Sequence, residues 1–297
     1  MNMMIIQIFF AALLVGPIIW GAYNVNKYRS LPSVTGKVKK ATIINSAISY
    51  ALAYNLIFFL QELFLVLGKK ALGLKSFLYH NNHTWEGEHS MSSLMQGSGA
   101  LAIFIAGLIS LLIFRYLSKS RSEWKLLVLW LAFHGLMQSI PQVIFAALDP
   151  GTDTGEALVG YLKISGPVLT FLAGVCTLST ALISIWFCRP FLGFIPMDSD
   201  LSNPRVKLNY ILSIAVGGAL LGSVLVVPFR ILPMHHAITP FLVFTFTIPW
   251  MWSAAPMSRP LSHNRNRINE KIFWVPVLLL IFLLLFFQLI LAKGVEF

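Results

Sequence analysis

The sequence predicts an all-α fold: a polytopic transmembrane helical bundle of about eight spans, with the N-terminus and the C-terminus outside. Three observations carry that prediction. Of 297 residues, 57% are hydrophobic and only 11% charged, where a soluble domain carries about 25% charged residues. The apolar residues gather into eight runs near the ~20 residues that a helix needs to cross a bilayer. Lys and Arg alternate between rich and poor connections along the chain.

The eight runs cover residues 4–23, 43–67, 94–114, 126–148, 164–187, 208–229, 237–255 and 272–291. No basic residue precedes the first, no small-x-small cleavage site follows it, and its positive charge lies downstream at Lys27 and Arg29. It therefore reads as a retained anchor, not a cleaved signal. The second run contains a carboxylate, Glu62. The fourth contains Pro141, which disturbs the helix backbone, and the seventh is interrupted by Pro240 and Pro249. Gly97, Gly99 and Gly107, and again Gly217, Gly218 and Gly222, are spaced so that helix backbones can approach closely. No internal repeat or Pro/Ser-rich linker divides the chain, so residues 1–297 form a single integral membrane domain.

The connections fix an orientation. The odd-numbered connections hold 16 Lys and Arg, among them Lys27, Arg29, Lys37, Lys119, Arg121, Arg189, Arg265 and Arg267, whereas the even-numbered ones hold 5 (Lys69, Lys70, Lys75, Lys163 and Arg230). The positive-inside rule then places the odd connections in the cytoplasm. A multi-pass protein of a bacterial cytoplasmic (inner) membrane is the expected setting, and the net charge of +11 faces anionic lipid headgroups. The lipid bilayer is thus the first partner. A nucleic-acid partner is excluded, because no soluble basic patch is interleaved with stacking aromatics. Cys176 and Cys188 are 12 residues apart on one predicted helix, roughly 18 Å, too far for a disulfide.

Candidate chemistry lies on the outer side. An ionised group in a bilayer costs several kcal/mol, so Glu62 marks a functional site by default. The connection that follows it holds His80, His83, Glu86, Glu88 and His89, the next outer one holds Asp149, Asp153 and Glu156, and the last adds His235 and His236. His80, His83, His89 and Asp153 are a candidate ligand set for zinc or another divalent metal. His80 and His83 share a face if helical, but Asn81-Asn82 and Gly87 point to a loop or turn, a polar stretch anchored at the interface by Tyr79 and Trp85. In the fourth run His134, Gln138 and Gln142 are spaced i, i+4, i+8 and form one polar stripe facing the bundle interior. Gln96 and Asn55 are its expected partners. At 1.5 Å per residue Glu62 lies about 28 Å up its span and His134 only about 12 Å. Gln142, about 24 Å up, is the better neighbour.

The run Gln61-Glu62-Leu63-Phe64-Leu65-Val66-Leu67-Gly68-Lys69-Lys70-Ala71-Leu72-Gly73-Leu74 resembles, in frame, the zinc helix of the site-2-protease-like intramembrane metalloproteases, His-Glu-x-x-His-Ala-Leu-Ala-Ala-x-x-Leu-Gly. Leu94-Met95-Gln96-Gly97-Ser98-Gly99-Ala100 is similar to that family's Ala-Gly-Pro-like segment. Leu148-Asp149-Pro150-Gly151, or Asp153-Thr154-Gly155, is similar to its Leu-Asp-Gly-like element. The likeness covers about residues 50–160. It implies a degenerate member, since Gln61 and Leu65 replace the two zinc histidines and leucine cannot ligate. Glu62 alone would remain of the catalytic set.

Three functions follow. The first is a protease-like membrane protein without zinc proteolysis, a pseudoenzyme that binds or regulates a membrane-protein partner. The second is a membrane-embedded hydrolase with a polar or metal site at the outer face, built from Glu62 and the His80–His89 loop. The third is a small transporter or the membrane subunit of a larger complex, which suits the proline-interrupted spans. No segment resembles a nucleotide-binding loop, a haem-ligation motif or a nucleophile elbow.

Overall fold

The structure, a computed structural model, describes residues 3–32, 38–117, 122–196, 199–231, 234–261 and 271–297. Lys37, Lys119, Arg121, Arg265 and Arg267 of the odd-numbered connections, and the His235 side chain, lie outside the described residues. Among those described, eight helices are long and apolar enough to cross a membrane: α1 Gln7–Tyr28, α2 Lys40–Ala71, α3 Ser92–Tyr116, α4 Glu123–Leu148, α5 Gly166–Leu192, α6 Pro204–Phe229, α7 His236–Met257 and α8 Trp274–Lys293. Each falls on one of the eight predicted runs.

The bundle is built around α4. Its apolar stretch is 72% buried, against 22% for α1, α3 and α8, which present Leu101, Leu112, Leu278 and Phe282 outward. Outward apolar rows of this kind match acyl chains, so burial here measures helix–helix packing and not exclusion from water. Around α4 the aromatic rings of Tyr50 and Tyr54 on α2 meet Trp130 and Phe133, with Trp130 and Tyr50 centroids 5.0 Å apart at 79°. Against α3 the contact is backbone on backbone: a Cβ built on Gly135 would fall 2.5 Å from the Cα of Gly107.

Two irregularities set the geometry of the interior. Pro141 cannot donate a backbone hydrogen bond and its ring clashes with the preceding turn, so α4 divides into Ser122–Ser139 and Pro141–Leu148. The Gln142 side chain reaches back to the Gln138 carbonyl at 2.9 Å. In α6 a π-helical stretch, Leu212–Gly217, widens the backbone locally, and the Ile214 carbonyl accepts from Ser46 at 2.7 Å. Pro240 does not interrupt α7: it sits in the first turn of Thr239–Ala254, where the missing N–H would be unpaired anyway.

Between α2 and α3 the chain forms strands and not the loop expected. β1 (Lys75–Leu78) and β2 (His83–Glu86) make an antiparallel hairpin, and β3 (Val295–Glu296) adds to the other side of β1, giving the order β2-β1-β3. Leu78 pairs with His83 and with Val295. The C-terminal end of α8 therefore lies at the same face of the bundle as the hairpin, which requires an even number of crossings between them.

Candidate functional site

The hairpin is placed by the end of α2. Gly73 adopts φ +78, the left-handed conformation that a Schellman ending uses; its amide bonds the Lys70 carbonyl at 2.9 Å and the Leu74 amide bonds that of Lys69 at 3.2 Å. The chain reverses into β1, where Ser76 and Leu78 turn inward and Lys75 outward. On β2 the alternation carries His83 and Trp85 toward the helices and Thr84 away. The two rings lie nearly parallel, 6.0 Å apart at 15°.

This alternation delivers an imidazole to the intramembrane acid. His83 Nδ1 lies 2.9 Å from Glu62 Oε2, with side chains only 6% and 7% exposed. Its other nitrogen, Nε2, is 3.0 Å from Gln96 Oε1 on α3. Both partners accept, so the ring donates from both sides, as an imidazolium does. Burial pulls the His83 pKa down, but the hydrogen bond and charge of Glu62, with the charge of Asp153 and the bond to Gln96, outweigh it and hold His83 above its ordinary value. Lys69, fully buried near the end of α2, sets its ammonium 3.8 Å over the Trp85 ring and donates to the Ser92 carbonyl. Asp153 completes the group. Burial, with the negative charges of Glu62 and Glu156, pushes its pKa up to about 6, against the opposing pull of His83 and Lys69.

A line of amides leads inward from this cluster. Thr154 Oγ1 donates to Gln142 Oε1 at 2.9 Å, Gln142 Nε2 donates to Gln61 Oε1 at 2.8 Å, and Gln138 Nε2 lies 3.3 Å from His134 Nδ1. His134 is enclosed by Tyr50, Tyr54, Trp130 and Phe133, with the Tyr50 centroid 4.3 Å away. The stripe expected on α4 thus faces the interior, and Gln142, not His134, meets the Gln61–Glu62 turn. Neither expected partner serves it: Gln96 binds His83, and Asn55 binds its own helix and Arg230.

At the tip of the hairpin Arg230, 1% exposed, donates to Asn81 Oδ1 at 2.9 Å and Asn55 Oδ1 at 3.1 Å, and lies 3.5 Å over the Phe58 ring. Burial lowers its pKa to about 10, so it stays a cation at neutral pH. His80 lies beside it, with Nε2 3.2 Å from the Ile231 carbonyl. The tip is therefore fastened to the start of the α6–α7 connection as well as to α2.

The structure brings Glu62, His83 and Gln96 into contact, with Asp153 near enough for its charge to act on His83. It does not gather the four residues of the metal set: His80 turns to Ile231, and the exposed His89 accepts from the Met91 amide at 3.1 Å. Among the described residues no three His, Cys, Asp or Glu side chains converge as a metal-binding group. Asp149 accepts from the Gly151 amide in its own exposed turn. Lys69 and Arg230, expected only as charges of the connections, and Trp85, expected only as an interfacial anchor, prove to be part of the site or of its support. The signal for His83 and Trp85 was present in the alternation of His83-Thr84-Trp85-Glu86, but four residues are too few for a period of two to stand out from a polar loop. Searches against protein-family models, curated proteins and solved structures found no match to this chain.

Proposed function

We propose that the chain is an intramembrane-protease-like protein without zinc proteolysis, which uses this face to bind or regulate a membrane-protein partner. The observation that carries the reading is the closure of Glu62 by His83, whose second nitrogen is in turn bonded to Gln96. In the protease frame Glu62 would be a general base with a free lone pair for water. Here one of its two carboxylate oxygens, Oε2, is engaged by His83 inside the protein. The two positions that would carry imidazoles are committed too: Gln61 to Gln142, and Leu65, fully buried, to packing against Gly99. Beside the cluster the outer side of β2 has no neighbouring strand among the described residues, and a free edge suits an extended segment of a partner. The test is metal analysis of the purified full-length protein, together with its co-purification from native membranes. Substoichiometric zinc and one fixed polypeptide partner, lost on Thr84→Pro in β2, are the expected results. Stoichiometric zinc, with cleavage of a transmembrane substrate that Glu62→Gln abolishes, would overturn the reading.

One observation favours a second reading, an enzyme acting at this polar face. Asp153, held at about 6, lies close enough for its charge to act on His83, itself held above its ordinary value, an acid and a base of the kind that proton-transfer catalysis uses. A cellular phenotype left intact by both Glu62→Gln and His83→Ala would eliminate it.

A further inference from the structure

A cavity of about 180 Å³ lies among α2, α4 and α7. Its walls are mainly apolar, with Phe58, Met137, Phe145 and Phe246 prominent, and no charged residue lines it. That volume is close to the ~150 Å³ of an apolar cavity able to take up benzene. It admits one ring or a short chain. Leu242, 38% exposed, stands at the rim, so the approach is from the side of the bundle that faces acyl chains.

Six polar side chains also line the cavity: Tyr54, Gln61, Gln138, Gln142, Thr239 and Thr247, the last donating to the Val243 carbonyl of its own helix. Their hydrogen bonds leave defined atoms over. Gln142 Nε2 is bound to the Gln138 backbone carbonyl, which can only accept. Gln142 must therefore present nitrogen there, and Gln61 must answer it with its oxygen, at 2.8 Å. The Gln61 NH₂ has no partner among the described residues. Gln138 gives its nitrogen to His134 and keeps its carbonyl oxygen. The Tyr54 hydroxyl is likewise uncommitted among the described residues. A mainly apolar cavity that holds one spare amide donor, one spare amide acceptor and the hydroxyls of Tyr54 and Thr239 is complementary to a neutral group with one acceptor and one N–H donor.

We propose that this cavity binds a neutral amphiphile dissolved in the membrane, an apolar ring or short chain bearing one secondary amide. Gln61 Nε2 donates to the ligand carbonyl, Gln138 Oε1 accepts from the ligand N–H, and Tyr54 offers a second contact. A transmembrane helix of a partner fits less well, because a helix already bonds its own amides internally and needs a groove far longer than one ring. A charged headgroup is disfavoured, since the walls provide no counter-charge. Binding here requires neither the absence of zinc nor a protein partner.

Full-length protein in phosphatidylcholine nanodiscs, titrated calorimetrically against empty discs, tests the proposal with three probes whose ring enters the cavity while the hexyl chain runs out past Leu242 among the acyl chains: N-hexylbenzamide, hexyl benzoate and hexylbenzene. Buried polar groups left unmatched discriminate strongly between analogues. The amide should bind about tenfold or more tightly than the ester, and the hydrocarbon most weakly. Gln61→Met should bring the amide down to the level of the ester, and Val243→Trp, which fills the cavity, should abolish binding of all three. Thermal unfolding verifies each variant; if Gln61→Met is unfolded, Tyr54→Phe and Val243→Trp carry the test. Equal affinity for the three probes, or binding that survives Val243→Trp, overturns the proposal. So does a photo-crosslinker in place of Leu242 that captures a transmembrane peptide which N-hexylbenzamide fails to displace.

Discussion

At the scale of residues, the Glu62–His83 pair is the feature with the largest energetic consequence. Two charges removed from water are costly, and their attraction offsets that cost only when both remain. Replacing Glu62 or His83 singly by leucine should therefore lower stability by about 3 kcal/mol, whereas the double replacement should cost at least ~1 kcal/mol less than the two combined. Unfolding of the purified variants in mild detergent measures this, and simple additivity would show that the two groups are not coupled. The pH dependence follows from the same cluster. His83 and Asp153 both have folded pKa values above their ordinary ones, so each contributes stability that is full at low pH and is lost as pH rises. For Asp153 the loss begins above its ordinary 3.8 and is complete past about 6; for His83 it begins near 6.5 and ends above its raised folded value. Protection factors of the hairpin amides, with the intrinsic rise of exchange with pH divided out, should thus fall as pH rises through about 6 and fall further above 6.5. Asp153→Asn should remove the portion lost around pH 6, on the order of 3 kcal/mol, and leave the portion due to His83.

At the scale of elements, what the sequence made legible was whatever repeats over many residues. Eight runs of about 20 residues give a hydropathy signal that local irregularity does not erase, and the stripe His134-Gln138-Gln142 persists over two turns, so its inward face could be read. The hairpin gave no such signal. Two strands of four residues offer two inward side chains each, and Asn81-Asn82 reads as well for a loop as for the turn that joins strands. The third strand pairs with β1 through Val295, 217 residues beyond its partner Leu78, a pairing that no local pattern encodes. Because His83 reaches Glu62 only through the β1–β2 register, the candidate site could be named residue by residue but not assembled. Helix contacts are a middle case: Gly107 was read as a packing position, but its partner Gly135 was not, since the choice of neighbour is a tertiary fact. Gly135→Ala tests the contact. A Cβ there would lie 2.5 Å from Gly107 Cα, against backbone that cannot swing aside. The variant should lose 2 kcal/mol or more as α3 and α4 separate, and an unchanged unfolding midpoint would mean that the two helices are free to shift.

At the scale of the whole molecule, the polar site and the Lys- and Arg-rich connections segregate to opposite faces of the bundle. Glu62, His83, Asp153, Arg230 and the C-terminal strand all gather at one face, while the Lys- and Arg-rich connections fall between the helix ends at the other. The positive-inside rule assigns that basic face to the cytoplasm, which turns the site outward, toward the compartment where an extended segment of a partner ectodomain could lie along β2. Thr84 and Arg189 are both exposed in the structure and sit on opposite faces, so single cysteines at these positions report the orientation once Cys176 and Cys188 are changed to serine. Thr84→Cys should react with a membrane-impermeant maleimide in intact cells, and Arg189→Cys only after the membrane is permeabilised. The reverse pattern would place the Glu62–His83 site in the cytoplasm, where its acid and base would meet cytosolic pH and soluble regulators, and the partner sought for it would have to be sought there.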